Sequence, residues 1–182
     1  MSATEDQARA GVMLDAEGAA SRTFAHEPGE GEALWWFGLL ATIKATKEQT
    51  GGLYSLVEIL APDGYGSVLH VHHQEDEGFY ILEGELTFYV GDQIIKARPG
   101  SFLFGPKDVP HAFTVDSGPA RLLFVLSPAG FEGLIREMGE PARSLTVPPP
   151  QPEEPPDEAE MERLAALGAR YGAEQLGPPP GQ

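Results

Sequence analysis

Cysteine is absent from the 182 residues of this chain. Its absence excludes disulfides, thiol nucleophiles and thiolate metal sites, and leaves histidine and carboxylate as the side chains able to hold a metal. Positive charge is scarce: 12 Lys+Arg stand against 28 Asp+Glu, a formal net charge of -16. Such a chain repels polyanions, which argues against nucleic acid as a partner and against an anionic membrane surface. Long apolar runs are missing too. The longest, near residues 33–43, is interrupted by Gly38 and Thr42 and is too short to span a bilayer. The opening stretch MSATEDQARAGVMLDAEGAA lacks the basic start and apolar segment of a secretory leader. A cytoplasmic protein is expected.

Between the tails the chain is long enough for one compact domain with a real core. From residue 34 to 128 short apolar or alternating runs follow one another: LWWFGLLATI, LYSLVEIL, SVLHVH, GFYIL, ELTFYV, QIIKA, SFLFG, HAFTV and RLLFVL. Gly, Pro and Asp punctuate them in TGG, APDGYG, LEGE, VGDQ, RPG, GPKDVP and DSGP. Many short strands at this spacing predict an all-β sandwich or small barrel. VGDQ predicts a tight hairpin, because Gly and Asp tolerate positive φ. Residues 129–138 read as an amphipathic helix with Phe131, Leu134, Ile135 and Met138 on one face. A second helix is expected over residues 157–172, with acids in its first turn and Gly172 as its stop. The expected organisation is a flexible acidic segment over 1–22, a barrel over 23–140, a Pro-rich linker over 141–156, and a helix and tail over 157–182.

Histidine is as scarce as it is clustered. Of five in the chain, His70, His72 and His73 fall within four positions, with the acids of QEDE directly behind. Neutral imidazole and carboxylate together are ligands suited to a first-row transition metal. On a strand, alternate side chains share a face, so His70 and His72 point one way and His73 the other, toward solvent. Glu77 follows a short break and can enter from the neighbouring strand. His111, after the turn GPKDVP, offers a third imidazole, while His26 stands alone in a loop. Glu75 and Asp76 read as turn acids, with Asp76 the fallback ligand if the loop geometry differs.

The fixed positions Gly64-x5-His70-x-His72-x4-Glu77-x6-Gly84 resemble the first motif of the cupin family. Gly100-x5-Pro106-x-Asp108-x2-His111 resembles the second, departing at Asp108, where Gly is usual, and at Val115, where Asn is usual. The fifteen residues from Glu85 to Pro99 separate the two. The resemblance implies a double-stranded β-helix, the cupin or jelly-roll barrel, with one or two short C-terminal helices appended. It also implies one divalent ion (Fe, Mn, Ni, Co or Zn) held by His70, His72, Glu77 and His111, and a homodimer. Four protein ligands around an ion that commonly takes six leave room for a guest.

Strand parity directs Phe79, Ile81 and Phe113 inward as a candidate substrate pocket, which suits a flat, poorly charged organic molecule. The segments EALWWFGLLATIKATKEQTGG and SPAGFEGLIREMG are similar to bacterial single-domain proteins of the quercetinase (quercetin 2,3-dioxygenase-like) type. That resemblance implies a dioxygenase opening a flavonol-like or other aromatic or enolic substrate with O2, in which Glu77 is base as well as ligand. Two alternatives stay open: a non-redox metal-dependent cyclase, isomerase or lyase, and a non-catalytic small-molecule-binding barrel.

Overall fold

The computed structural model describes residues 23–150 and 157–178. The expectations for residues 1–22, for the 151–156 part of the Pro-rich linker, and for the last four residues lie outside the described residues. In SLVEILA every second residue (Ser55, Val57, Ile59, Ala61) is buried and those between are half-exposed, the period of a strand with one face on a core. Repetition of this pattern builds the elements in order: β1 (Glu32–Trp36), β2 (Leu39–Ala45), α1 (Lys47–Thr50), β3 (Ser55–Ala61), β4 (Leu69–His72), β5 (Asp76–Val90), β6 (Gln93–Ala97), β7 (Phe102–Gly105), β8 (His111–Ser127), α2 (Glu132–Met138), β9 (Glu140–Pro141), α3 (Glu158–Arg170) and β10 (Ala173–Gly177).

All the strand pairings are antiparallel, and the strands join in the order β10-β4-β8-β3-β2-β1-β9, with β5 pairing β6, β7 and β8. The expected all-β cupin-type barrel is what forms. Its interior holds a cluster of tilted and edge-on rings: Phe79 lies 4.9 Å from Phe88 and 5.2 Å from Phe124, and Phe88 lies 5.5 Å from Phe113, centroid to centroid. All four are buried. Among the described residues no helix is long and apolar enough to cross a membrane.

The punctuation needs correcting at three places. LWWFGLLATI is not one run: Phe37 (φ 49) and Gly38 (φ 78) make a tight turn that separates β1 from β2. LEGE and DSGP, conversely, do not end strands. β5 and β8 pair from Asp76↔Ser127 to Val90↔His111, and the ladder slips register between Ile81 and Leu86. The turn-forming residues sit where both strands bend together around the barrel, exposed at 82–83 and 116–119. Gly84 is there of necessity: at φ +83, an added Cβ would lie 2.8 Å from the Cα of Ala120 on the facing strand.

Elsewhere the expected elements form near their expected bounds. Val90↔Gln93 closes the VGDQ hairpin. The 129–138 helix starts late, at Glu132, because Gly130 has a non-helical φ of 147. Phe131, Leu134 and Ile135 are buried as expected, and Met138 packs against the core from a half-buried position. α3 is capped by Asp157, whose carboxylate accepts the Glu160 N–H at 2.8 Å. α1, β9 and β10 are additions that the sequence pattern does not announce. β10 matters most, since it pairs directly with β4.

Candidate metal centre

β4 has only four residues, LHVH, and its period places His70 and His72 on one face. His70 pairs with His111 across β4 and β8, which sets a third imidazole beside the first two. Glu77, in the second position of β5, completes the group. One ligand atom from each of His70, His72, Glu77 and His111 lies within 4.8 Å of the others, an arrangement that could hold one metal ion. The Nε2 of His111 is 3.0 Å from Glu77 Oε2, and the Nε2 of His72 is 3.5 Å from the same oxygen. Ring centroids are separated by 4.5 Å (His70–His111), 5.1 Å (His70–His72) and 5.5 Å (His72–His111).

The protein turns these rings itself. Each Nδ1 meets an oxygen: His70 the Val68 carbonyl at 2.8 Å, His72 the Glu75 carboxylate at 2.6 Å, His111 the Val109 carbonyl at 3.0 Å. A carbonyl or carboxylate oxygen only accepts, so each Nδ1 carries the hydrogen and donates it. In the neutral imidazole the lone pair is then on Nε2, facing the cluster. Once the proton that His111 Nε2 shares with Glu77 leaves, three lone pairs and one carboxylate converge with no thiolate among them, a donor set that fits a divalent first-row ion.

The charges within the group are coupled. Burial disfavours the Glu77 carboxylate, yet the charge of His72, the hydrogen bond and charge of His111, and the charge of His70 outweigh it and hold its pKa below the usual range. Burial likewise disfavours a charged His111, and there the Glu77 hydrogen bond and charge prevail and raise its pKa. His70 is pushed down to about 4, by burial first and then by His111 and His72. His70 is half-buried, whereas His72, Glu77 and His111 are buried.

Phe79 is buried with its ring 6.0 Å from that of His111, and Phe113 and Ile81 are buried in the barrel core. His73 faces outward as expected, its Nδ1 donating to Asp108 at 2.7 Å. Asp108, standing at the motif position where Gly is usual, adopts φ 63, a left-handed conformation that aspartate tolerates better than most residues. His26 is exposed and keeps to its loop, beside the ring of Phe24. Asp76, expected in a turn, instead opens β5 and accepts the Lys107 N–H at 2.9 Å.

Glu75 corrects the sequence reading. It is no turn acid but a buried carboxylate, 3% exposed, bound to His72. A signal existed in the spacing His72-x2-Glu75. Phe131, from the residues expected to be helical, lies against His72 at 4.7 Å between centroids. A cavity of about 340 Å³ opens on the far side of these two, lined also by Lys47, Gly133, Arg136 and Tyr171. Glu75 and Phe131 therefore stand between that cavity and His72.

Comparison with known proteins adds to this geometry. Residues 56–126 match the family model described as Cupin domain. Over 122 residues, 67% of this chain, the sequence is 36% identical to quercetin 2,3-dioxygenase of Bacillus subtilis (strain 168). Over 111 residues, 57% of this chain, it is 27% identical to quercetin 2,3-dioxygenase of Aspergillus japonicus. The matched stretches span 36% and 32% of those two relatives, about a third of their length. Among solved structures, an RmlC-like cupin from Shewanella frigidimarina superposes with a TM-score of 0.52 at 22% identity, over 61% of this chain and 96% of that one, a likeness of fold.

Proposed function

With residues 56–126 a cupin domain, we propose that the chain is a mononuclear metal-dependent dioxygenase acting with O2 on a flavonol-like or other aromatic, enolic substrate. His70, His72, Glu77 and His111 are its metal ligands in this reading. The supporting observation is the convergence of one nitrogen from each of three imidazoles and one carboxylate oxygen within 4.8 Å, in a chain 36% identical over 122 residues to a quercetin 2,3-dioxygenase. A divalent ion bound there supplies Lewis-acid stabilisation of a substrate oxyanion. The residues do the rest. Glu77 is ionised and buried, so it accepts the proton that leaves the substrate hydroxyl. Phe79 and Phe131 flank His111 and His72 with apolar surface, which excludes water and suits a flat ring. The acceptors Val68, Glu75 and Val109 keep the imidazoles from rotating away.

Elemental analysis of protein purified without added metal, followed by oxygen uptake with a flavonol panel, tests the reading. One divalent transition ion per chain and uptake with at least one flavonol are expected. Absence of uptake with every loaded metal refutes the dioxygenase, and equal turnover without oxygen assigns the site to Lewis-acid cyclisation, isomerisation or elimination.

Two further results are expected of this site. Glu75→Ala removes the acceptor that orients His72 and lowers metal affinity roughly 10- to 100-fold, whereas Glu75→Gln retains part of it through its carbonyl oxygen. Competition with a chromophoric chelator measures both. The second concerns pH. In the metal-free protein the raised pKa of His111 keeps a proton on its Nε2, shared with Glu77. Metal must displace that proton, so affinity rises with pH through the range above the ordinary histidine value and falls below it. Glu77, held low, stays ionised well into acid and does not set this limit. Calorimetric titration in buffers of different ionisation enthalpy should register proton release near neutral pH that fades at higher pH.

A further inference from the structure

Of the four clustered side chains, His70 is half-buried while His72, Glu77 and His111 are buried, so the cluster lies nearest the surface at His70. β4, which carries His70, lies between β8 and β10. β8 contributes His111 to the cluster. Residues directly opposite in an antiparallel pair share a face, so β10 sets Ala173 beside His72 and Gln175 beside His70. Ala173 packs against the core, while Gln175 is exposed and its amide has no hydrogen-bond partner among the described residues. Glu174 takes the opposite face, where it lies 3.5 Å from His73. Gln175 therefore carries the polar side chain that β10 places on the face of the cluster, at a cross-strand Cβ separation of roughly 5 Å from His70.

We propose that Gln175 contacts the molecule bound at the metal centre, its amide N–H donating to an oxygen adjacent to the one held by the ion. The guest class it favours is a planar organic molecule with two neighbouring oxygens, such as a catechol or a hydroxy-ketone. The assignment rests on the reading of the cluster as an open metal centre, and it extends the site to a strand outside the matched residues 56–126. β10 is then a working wall of the pocket.

The test uses the full chain loaded with cobalt(II), titrated with 4-nitrocatechol under anaerobic conditions and followed by visible absorbance. Binding of this probe needs no oxygen chemistry, so it is readable whether or not flavonols turn over. Gln175→Leu should weaken the probe roughly tenfold, the size expected for one hydrogen bond to a charged oxygen. Gln175→Glu should weaken it further by repelling the catecholate. Cobalt content and melting temperature should stay at the parent values in both. Glu174→Ala, on the other face of the strand, should bind the probe as the parent does. Parent-like binding by Gln175→Leu overturns the proposal, as does an equal loss in Glu174→Ala, which would trace the effect to strand seating. Failure of the parent chain to hold cobalt, or of the loaded chain to bind the probe, overturns the metal-centre reading and this proposal with it.

Discussion

Glu77→Gln is expected to lower turnover by roughly two to four orders of magnitude, the usual contribution of a positioned general base, while the chain still holds metal. The two consequences separate because the carboxylate has two roles in the proposed reaction. As a ligand it is one of four, and a glutamine oxygen at the same place is a weaker but serviceable donor beside three imidazoles. As a proton acceptor it has no substitute, since the amide is not basic and the three histidines, with Nδ1 engaged by Val68, Glu75 and Val109, would give Nε2 to the bound ion. Metal content by elemental analysis should therefore fall modestly and oxygen uptake steeply. Parallel loss of both would mean that Glu77 serves as a ligand alone. The variant should also bring the His111 pKa back toward its ordinary value in the metal-free protein, because the Glu77 hydrogen bond and charge are what raise it. Proton NMR titration of the imidazole resonances would show this without any turnover.

The largest effect on stability is expected at Phe88. It is 1% exposed and packs against Phe79 at 4.9 Å and Phe113 at 5.5 Å. Phe88→Ala leaves a cavity that the packed rings around it cannot fully collapse to fill, at a cost of about 3–5 kcal/mol. For a chain of this size the melting temperature should drop by on the order of 10 °C, and Phe88→Leu should cost about 1 kcal/mol. Thermal unfolding followed by far-ultraviolet circular dichroism measures both. Phe79 is the ring in contact with both Phe88 and His111. Loss of packing at Phe88 should accordingly loosen the site as well and weaken metal retention before global unfolding begins.

The parts of this architecture that were legible in the sequence are those fixed locally. Strand period alone separates His70 and His72 from His73, and the structure keeps that division. The spacing through Glu77 to Gly84 was readable because a fixed count of residues spans β4, a short break and half of β5. Gly84 is held there by the closeness of Ala120 on β8. What escaped depends on contacts between distant segments. Glu75 lies in the break between two strands, where alternation carries no information, and its burial follows from how the chain folds back on His72. AEQLG shows no apolar alternation because β10 is an edge strand, with both end residues half-buried and the three between exposed. Its position comes from pairing with β4. LEGE and DSGP misled because turn-forming residues at a barrel corner bend a strand without ending it. Asp108 read as a departure from the family pattern, and its φ of 63 lies in the left-handed region that glycine adopts most readily.

The acceptors behind the three imidazoles belong to the polypeptide, so the rings face the cluster whether or not an ion is there. Loading and stripping should therefore require no refolding, and one preparation can be emptied with a chelator and refilled with manganese, iron, cobalt, nickel or zinc in turn. Differences in activity among the refilled samples would then report the electronic properties of each ion, on a scaffold whose shape is held constant.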